Sequence, residues 1–223
     1  MPIVRTDNLG RTYRTGQIEV AALCMIDLAI EPGEFLAIVG PSGSGKTTLL
    51  NMIGALDSPS HGKIFFEEED LTAARPARLA EIRLKKIGFV FQAYNLIPVL
   101  TAIENIEYVM LLQGWPEKKR REKAFALLKE VGLEGFANRR PADMSGGQQQ
   151  RVAVARAIAS EPKIVLADEP TANLDSKTGA ALIDLMHELN QKKGVTFVFS
   201  THDPMVMQRA QRLIRLKDGM IEA

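Results

Sequence analysis

The segment Gly40-Pro41-Ser42-Gly43-Ser44-Gly45-Lys46-Thr47 has the spacing G-x-x-x-x-G-K-T. Its glycines let backbone N–H groups curl around phosphate oxygens, and the helix-compatible residues after it, beginning with Thr48-Leu49-Leu50, bring the positive end of a helix dipole to the same point. Lys46 is then placed to reach β- and γ-phosphates, and the Thr47 hydroxyl to hold Mg²⁺. Two carboxylates, Asp168 and Glu169, follow the apolar run Ile164 to Ala167. At the carboxyl end of a parallel strand, where open α/β sheets place their ligands, Asp168 suits Mg²⁺ and Glu169 suits proton acceptance from an attacking water. Phosphoryl transfer to water is the chemistry these residue types support. A third segment, Met144-Ser145-Gly146-Gly147-Gln148, has the S-x-x-Q spacing of a helix capping box with two glycines at the helix start. On spacing alone it reads equally as a plain cap or as a second place where N–H groups face an anion.

Such residues need elements to hold them. Phe35 to Val39, Ile87 to Phe91, Ile164 to Ala167 and Thr196 to Phe199 are short runs rich in Val, Ile and Phe, bounded by polar residues or glycine. Continuous rather than alternating hydrophobicity predicts strands buried on both faces, as in a parallel sheet sandwiched by helices. The spacing predicts helices over Glu117 to Val131, Val152 to Ser160, closed by Pro162, and Gly179 to Asn190. Residues 93–160 read as a helical insertion. Residues 1–92 and 161–223 read as the sheet core, with pieces around Ile18 to Leu23 and Lys63 to Phe66 forming a small antiparallel subdomain, all within one domain over 1–223. Near the end, Arg212 to Leu216 alternates polar and apolar residues, and Asp218-Gly219 offers a hairpin turn before Met220 and Ile221.

Composition narrows the remaining classes. The chain has 223 residues, 46% of them hydrophobic, and 28 Lys plus Arg against 27 Asp plus Glu for a net charge of +1. That balance lacks the cationic surplus that displaces phosphate counterions, so no nucleic-acid partner is expected. Cys24 is the single cysteine, which rules out an intrachain disulfide or a cysteine-built metal cluster. Met1 to Gly10 contains no apolar core of signal-peptide length, and no stretch approaches the ~18 to 20 apolar residues of a membrane span. A cytoplasmic location is expected, with any membrane-spanning role falling to another polypeptide.

Taken together, the loop at 40–47, Gln92, Ser145 to Gln148, Asp168-Glu169, Asn173-Leu174-Asp175 and Ser200-Thr201-His202-Asp203 resemble, in order and along essentially the whole chain, the nucleotide-binding subunits of ABC transporters. The resemblance implies a P-loop NTPase (RecA-like) α/β core with a mostly parallel sheet, an antiparallel β subdomain and an inserted helical subdomain. It also implies ATP and Mg²⁺ as cofactors and an ATP-dependent homodimer packed head to tail. Each ATP would lie between one chain's phosphate loop and the other's Ser145, Gly146, Gly147 and Gln148. By matching position, Tyr13 resembles the aromatic that stacks on adenine, and Thr48 and Asp175 belong to the nucleotide-binding set. Gln92 resembles the residue linking Mg²⁺ and water to a transmembrane partner, His202 the γ-phosphate sensor, and Lys46, Gln92, Glu169 and His202 the catalytic set. Thr47, Gln92 and Asp168 would hold the metal.

Within the family, Ile87 to Pro98 and Ser145 to Ala153 look most like the macrolide-exporter and lipoprotein-release subgroup. Its ATPases drive a separate permease from the inner face of the membrane, and the segment after Gln92 would be the docking surface. Other classes that fit family membership are a mechanical or regulatory ATPase gating an extracytoplasmic activity without transport, and a soluble ATPase acting on nucleic acid or ribosomes. Two departures bear on turns: Ala172 stands where many relatives have glycine, and Glu67-Glu68-Glu69-Asp70 replaces a common glycine hairpin and reads as a solvated tip. Met144 replaces the usual Leu with a side chain of similar volume.

Overall fold

The computed structural model describes residues 1–222 and every side chain among them but that of Thr15; the last residue of the expected 161–223 span lies outside it. Two long strands, β1 (Val4–Thr15) and β2 (Ile18–Ile30), pair antiparallel and lead into β3 (Phe35–Val39), which is buried throughout. Phe35, Ala37 and Val39 join one apolar cluster while Leu36 and Ile38 join a second. Because strand side chains alternate between faces, this division shows that the sheet is covered on both sides.

After β3 come α1 (Lys46–Ile53), the strands β4 (His61–Phe66) and β5 (Glu69–Asp70), α2 (Pro76–Lys86) and β6 (Ile87–Val90). Next are α3 (Ala102–Leu112), α4 (Glu117–Glu130), α5 (Gly146–Ala159) and β7 (Ile164–Asp168). The chain ends with α6 (Ser176–Lys193), β8 (Thr196–Thr201), α7 (Pro204–Arg209), β9 (Arg212–Lys217) and β10 (Met220–Ile221). Strands β9, β3, β8, β7 and β6 run parallel in that order, with β10 antiparallel at the β9 edge. A four-stranded antiparallel sheet, β2-β1-β4-β5, covers one face. Helices α3, α4, α5 and α6 supply the apolar cluster on the other.

Several elements differ from their sequence-based expectation. Helix α5 starts at Gly146 rather than Val152, because Ser145 and Gln148 form a reciprocal capping box that draws both glycines into the first turn. The expected hairpin at Asp218-Gly219 forms between β9 and β10, and β9 pairs in addition with β3 of the parallel sheet. The acidic run is less solvated than its composition suggests. Glu67 and Glu68 adopt left-handed φ of 45° and 68°, as a tight hairpin turn requires. Lys86 donates to Glu67 at 2.5 Å, and Arg78 grips both carboxylate oxygens of Glu69 at 2.7 Å. The Arg78 contact holds the Glu69 carboxyl below its ordinary value.

Helix α5 sits against β6 at van der Waals range because of Gly88: a Cβ there would stand 2.3 Å from the Ala157 carbonyl oxygen. Backbone cannot yield to that overlap as a flexible side chain would. Gly88→Ala should therefore cost about 1–3 kcal/mol of stability, read as a lower denaturant midpoint, whereas an unchanged midpoint would show that α5 can lift off the sheet freely.

Candidate functional site

Helix α1 begins without help from any side chain. Gly45 is its N-cap with φ of 102°, no side chain bonds its first turn, and no acidic residue lies there. The orphan N–H groups and the dipole's positive end are left for an anion. Gly45 cannot be replaced without strain, since its φ is left-handed and a Cβ would stand 2.4 Å from the Ala22 carbonyl oxygen. Lys46, nearly buried, curls its Nζ back to donate to the carbonyls of Gly40 and Pro41, both at 2.9 Å. Buried Ser44 anchors the loop through its carbonyl, which accepts from Gly219 N–H at 3.1 Å.

Over this loop lies a cleft of about 610 Å³ lined by Val20, Ala21 and Ala22, by Pro41 to Gly43 and Gly45 to Thr48, and by Gln92, Glu169, Ala172 and His202. At its floor the Thr47 hydroxyl lies 3.2 and 3.4 Å from the two Asp168 carboxylate oxygens. These hard oxygen donors, one hydroxyl and one carboxylate, suit Mg²⁺. Among the described residues no cluster of three or more His, Cys, Asp or Glu side chains stands ready to hold a metal. A cation at Thr47 and Asp168 would thus complete its shell with phosphate oxygens and water, as Mg²⁺ does in nucleotide sites.

Glu169 follows the last residue of β7 with φ of 44°, a left-handed conformation costly for a non-glycine residue. Its N–H donates to Ser200 O at 2.9 Å, and its carboxylate accepts from Thr201 Oγ1 at 3.1 Å and meets His202 Nδ1 at 2.6 Å. Glu169 is mostly shielded while His202 is exposed, so the pair presents one covered carboxylate and one exposed imidazole to the cleft. Ala172 fits its turn with no left-handed φ, so the loss of glycine there is harmless.

Most of the other residues singled out by sequence lie apart from the cleft. Tyr13 is not among its lining; it faces Val20 across the β1–β2 pair, donates to Asp57 Oδ2 at 2.8 Å and lies under the Arg11 guanidinium. Asp175 is the N-cap of α6, accepting from the N–H groups of Lys177 and Thr178 and from the Thr178 hydroxyl; that last bond foremost holds its carboxyl below the ordinary value. None of Ser145, Gly146, Gly147 and Gln148 lines the cleft. Gln92 does, and its carbonyl accepts from Asn173 Nδ2 at 3.0 Å, tying its loop to the turn before α6.

Two α5 residues that sequence reasoning passed over hold this region together. Gln150, wholly buried, donates from Nε2 to Pro170 O at 2.8 Å and to Phe91 O at 3.3 Å, beside Glu169 and Gln92 respectively. Arg156 donates to the carbonyls of Tyr94 and Asn95, both in left-handed conformation, and burial pushes its guanidinium below the ordinary arginine value. A charged residue inside an alanine-rich buried helix was the available signal.

A family profile described as ABC transporter matches residues 23–172. The chain belongs to the ABC transporter family. It is an ATP-binding cassette and an ATP hydrolase. The cassette is 44% identical, over its full length, to the macrolide export ATP-binding/permease protein MacB of Syntrophobacter fumaroxidans, of which it spans 31%. It is 41% identical to the lipoprotein-releasing system ATP-binding protein LolD of Idiomarina loihiensis, covering 98% of this chain and 96% of that one. It also superposes, at a TM-score of 0.91 and 46% identity, on a solved dimeric post-hydrolysis state of an ATP-binding cassette bound to ADP and Pi, covering 99% of this chain and 97% of that one. No helix of the described residues is long and apolar enough to cross a membrane.

Removing the one ammonium in the loop isolates its part in nucleotide capture. Lys46→Ala should weaken ATP binding by about tenfold or more in a fluorescence titration, and unchanged affinity would count against phosphate binding by this loop.

Proposed function

We propose that the cassette binds MgATP in this cleft, closes it with the Ser145–Gln148 helix start of a second copy, and hydrolyses ATP there to drive a separate membrane permease of the macrolide-exporter or lipoprotein-release type. The supporting observation is the separation of the two glycine-bearing helix starts read as anion sites. The cleft holds the phosphate loop, Gln92, Glu169 and His202, whereas the glycines at the start of α5 lie outside it. A neighbouring copy packed head to tail brings the second segment over the first. The dimeric relative that carries ADP and Pi supports this arrangement.

In this reading the N–H groups of Gly43 to Thr48 and the Lys46 ammonium hold the triphosphate, while Thr47, Asp168 and Gln92 hold Mg²⁺, which neutralises phosphate charge when bound. Tyr13, on the face of the β1–β2 hairpin that carries Val20, stacks on adenine. Asp175 keeps the turn beside Gln92 in shape through its α6 cap. Glu169 takes a proton from water as the water oxygen bonds to the γ-phosphorus, and the bond to the β-phosphate oxygen breaks with its electron pair leaving on ADP. His202 steadies the γ-phosphate from the rim.

The permease docks beside Gln92, where a groove of about 430 Å³ runs between the sheet core and α3, lined among others by Leu56, Phe89, Phe91, Asn95, Val109 and Arg156. Its apolar walls and its continuity with the Gln92 loop suit an amphipathic helix from the partner. Through that partner the cassette lies peripherally on the inner face of the membrane. The balanced charge gives no support to a nucleic-acid partner.

Replacing the base while keeping its shape tests the mechanism. Glu169→Gln should retain ATP binding, slow hydrolysis about 100-fold or more, and sediment as a dimer in ATP; wild-type turnover would remove Glu169 from the reaction. Chelating divalent cations should stop hydrolysis by the unmodified protein, and persistence of turnover in excess EDTA would exclude Mg²⁺ at Thr47 and Asp168.

A further inference from the structure

Glu169 is tethered to a strand other than its own. It follows β7, yet its N–H donates to Ser200 O at 2.9 Å and its Oε2 accepts from the Thr201 hydroxyl at 3.1 Å, both at the end of β8. Thr201 is wholly buried. Its Oγ1 also accepts the Asp203 N–H at 3.0 Å. A hydroxyl carries one proton, and with a lone pair of Thr201 already engaged by an N–H, that proton goes to the carboxylate.

Further bonds keep the donor in place. Asp203 caps α7, accepting from Met205 N–H at 2.9 Å, and its second oxygen accepts from Thr171 Oγ1 at 2.7 Å. Thr171 is itself buried and lies two residues beyond Glu169, so the bonds from Glu169 through Thr201 and Asp203 return to the turn that Glu169 begins. The two carboxylate oxygens are thereby made unequal: Oε2 is bonded to the buried hydroxyl, while Oε1 meets only His202, an exposed residue of the cleft.

We propose that Thr201 is a positioning residue for ATP hydrolysis, holding Oε2 of Glu169 so that Oε1 alone is presented to the attacking water. The proposal rests on Glu169 being the proton acceptor. Without the hydroxyl, a side chain with three free torsions must find the same geometry by chance, and the loss falls on the chemical step rather than on nucleotide capture.

Thr201→Val keeps the β-branched shape that a buried strand favours and removes only the hydrogen-bonding oxygen. The expected result is a kcat lower by about ten- to a hundredfold, an unchanged KM for ATP and unchanged ATP affinity in equilibrium titration. Thr201→Ser, which restores the hydroxyl, should recover most of the turnover. Thr201→Ala, smaller and free of any crowding by a methyl group, serves as the second hydroxyl-free variant should the valine protein fold poorly. In the Glu169→Gln background, Thr201→Val should add little further loss, because it acts through the carboxylate.

Wild-type kcat in a folded Thr201→Val or Thr201→Ala protein, alongside an inactive Glu169→Gln protein, would overturn the role of Thr201 and leave Glu169 as base. An equal loss in Thr201→Ser and Thr201→Val would also overturn it, since the hydroxyl would then be irrelevant, as would a full additional loss in the Glu169→Gln background. Wild-type turnover by Glu169→Gln itself would instead overturn the base assignment on which the proposal stands.

Discussion

Parallel pairing of β3, β7 and β8 is the constraint on which the site depends. Val39 is level with Thr201 and Asp168 with Ser200, so the phosphate loop, the two carboxylates and the His202 turn leave the sheet at one edge. A slip of one residue in any of these strands would turn its side chains to the opposite face. Burial on both faces forbids that slip, because each face is packed: Phe197 and Phe199 pack at tilted angles against Phe35 on one side, and Val198 joins Leu36 and Ile38 on the other. The large core is thus a positioning device, and the few polar groups at its edge gain their accuracy from apolar packing several residues away.

Helix α5 links the parts that must act together. Its start carries the glycine pair proposed to face a neighbour's nucleotide, while Gln150 and Arg156 bond the backbone next to Glu169, next to Gln92 and within the loop that flanks the groove proposed for the permease. Gln150 also keeps one oxygen buried without a partner. Its nitrogen meets two carbonyls from different strand exits. Any tilt of α5 must therefore strain both exits at once.

What could be read in advance follows from the range of the forces involved. The strands at Phe35, Ile164 and Thr196 announce themselves because burial on both faces gives each an unbroken apolar run, and the phosphate loop because its glycines and lysine act within eight consecutive positions. Helix α2 escaped because Ile82 is its one buried residue, leaving no stripe to detect. Helix α3 carried a usable signal in Thr101 and Glu104, whose capping box forms. The place of β9 beside β3, the Thr201 bond to Glu169 and the reach of Gln150 to Pro170 join residues far apart in the chain. Local spacing does not encode such contacts.

The bare start of α1 has a consequence for how the protein is handled. With no side chain capping that turn, phosphates bound as proposed would serve as the helix cap, so that part of the binding energy would be invested in folding. Occupancy and heat resistance are then linked by mass action, and the melting temperature rises with nucleotide concentration. A thermal-shift titration with a non-hydrolysable nucleotide would thus report ligand affinity without turnover.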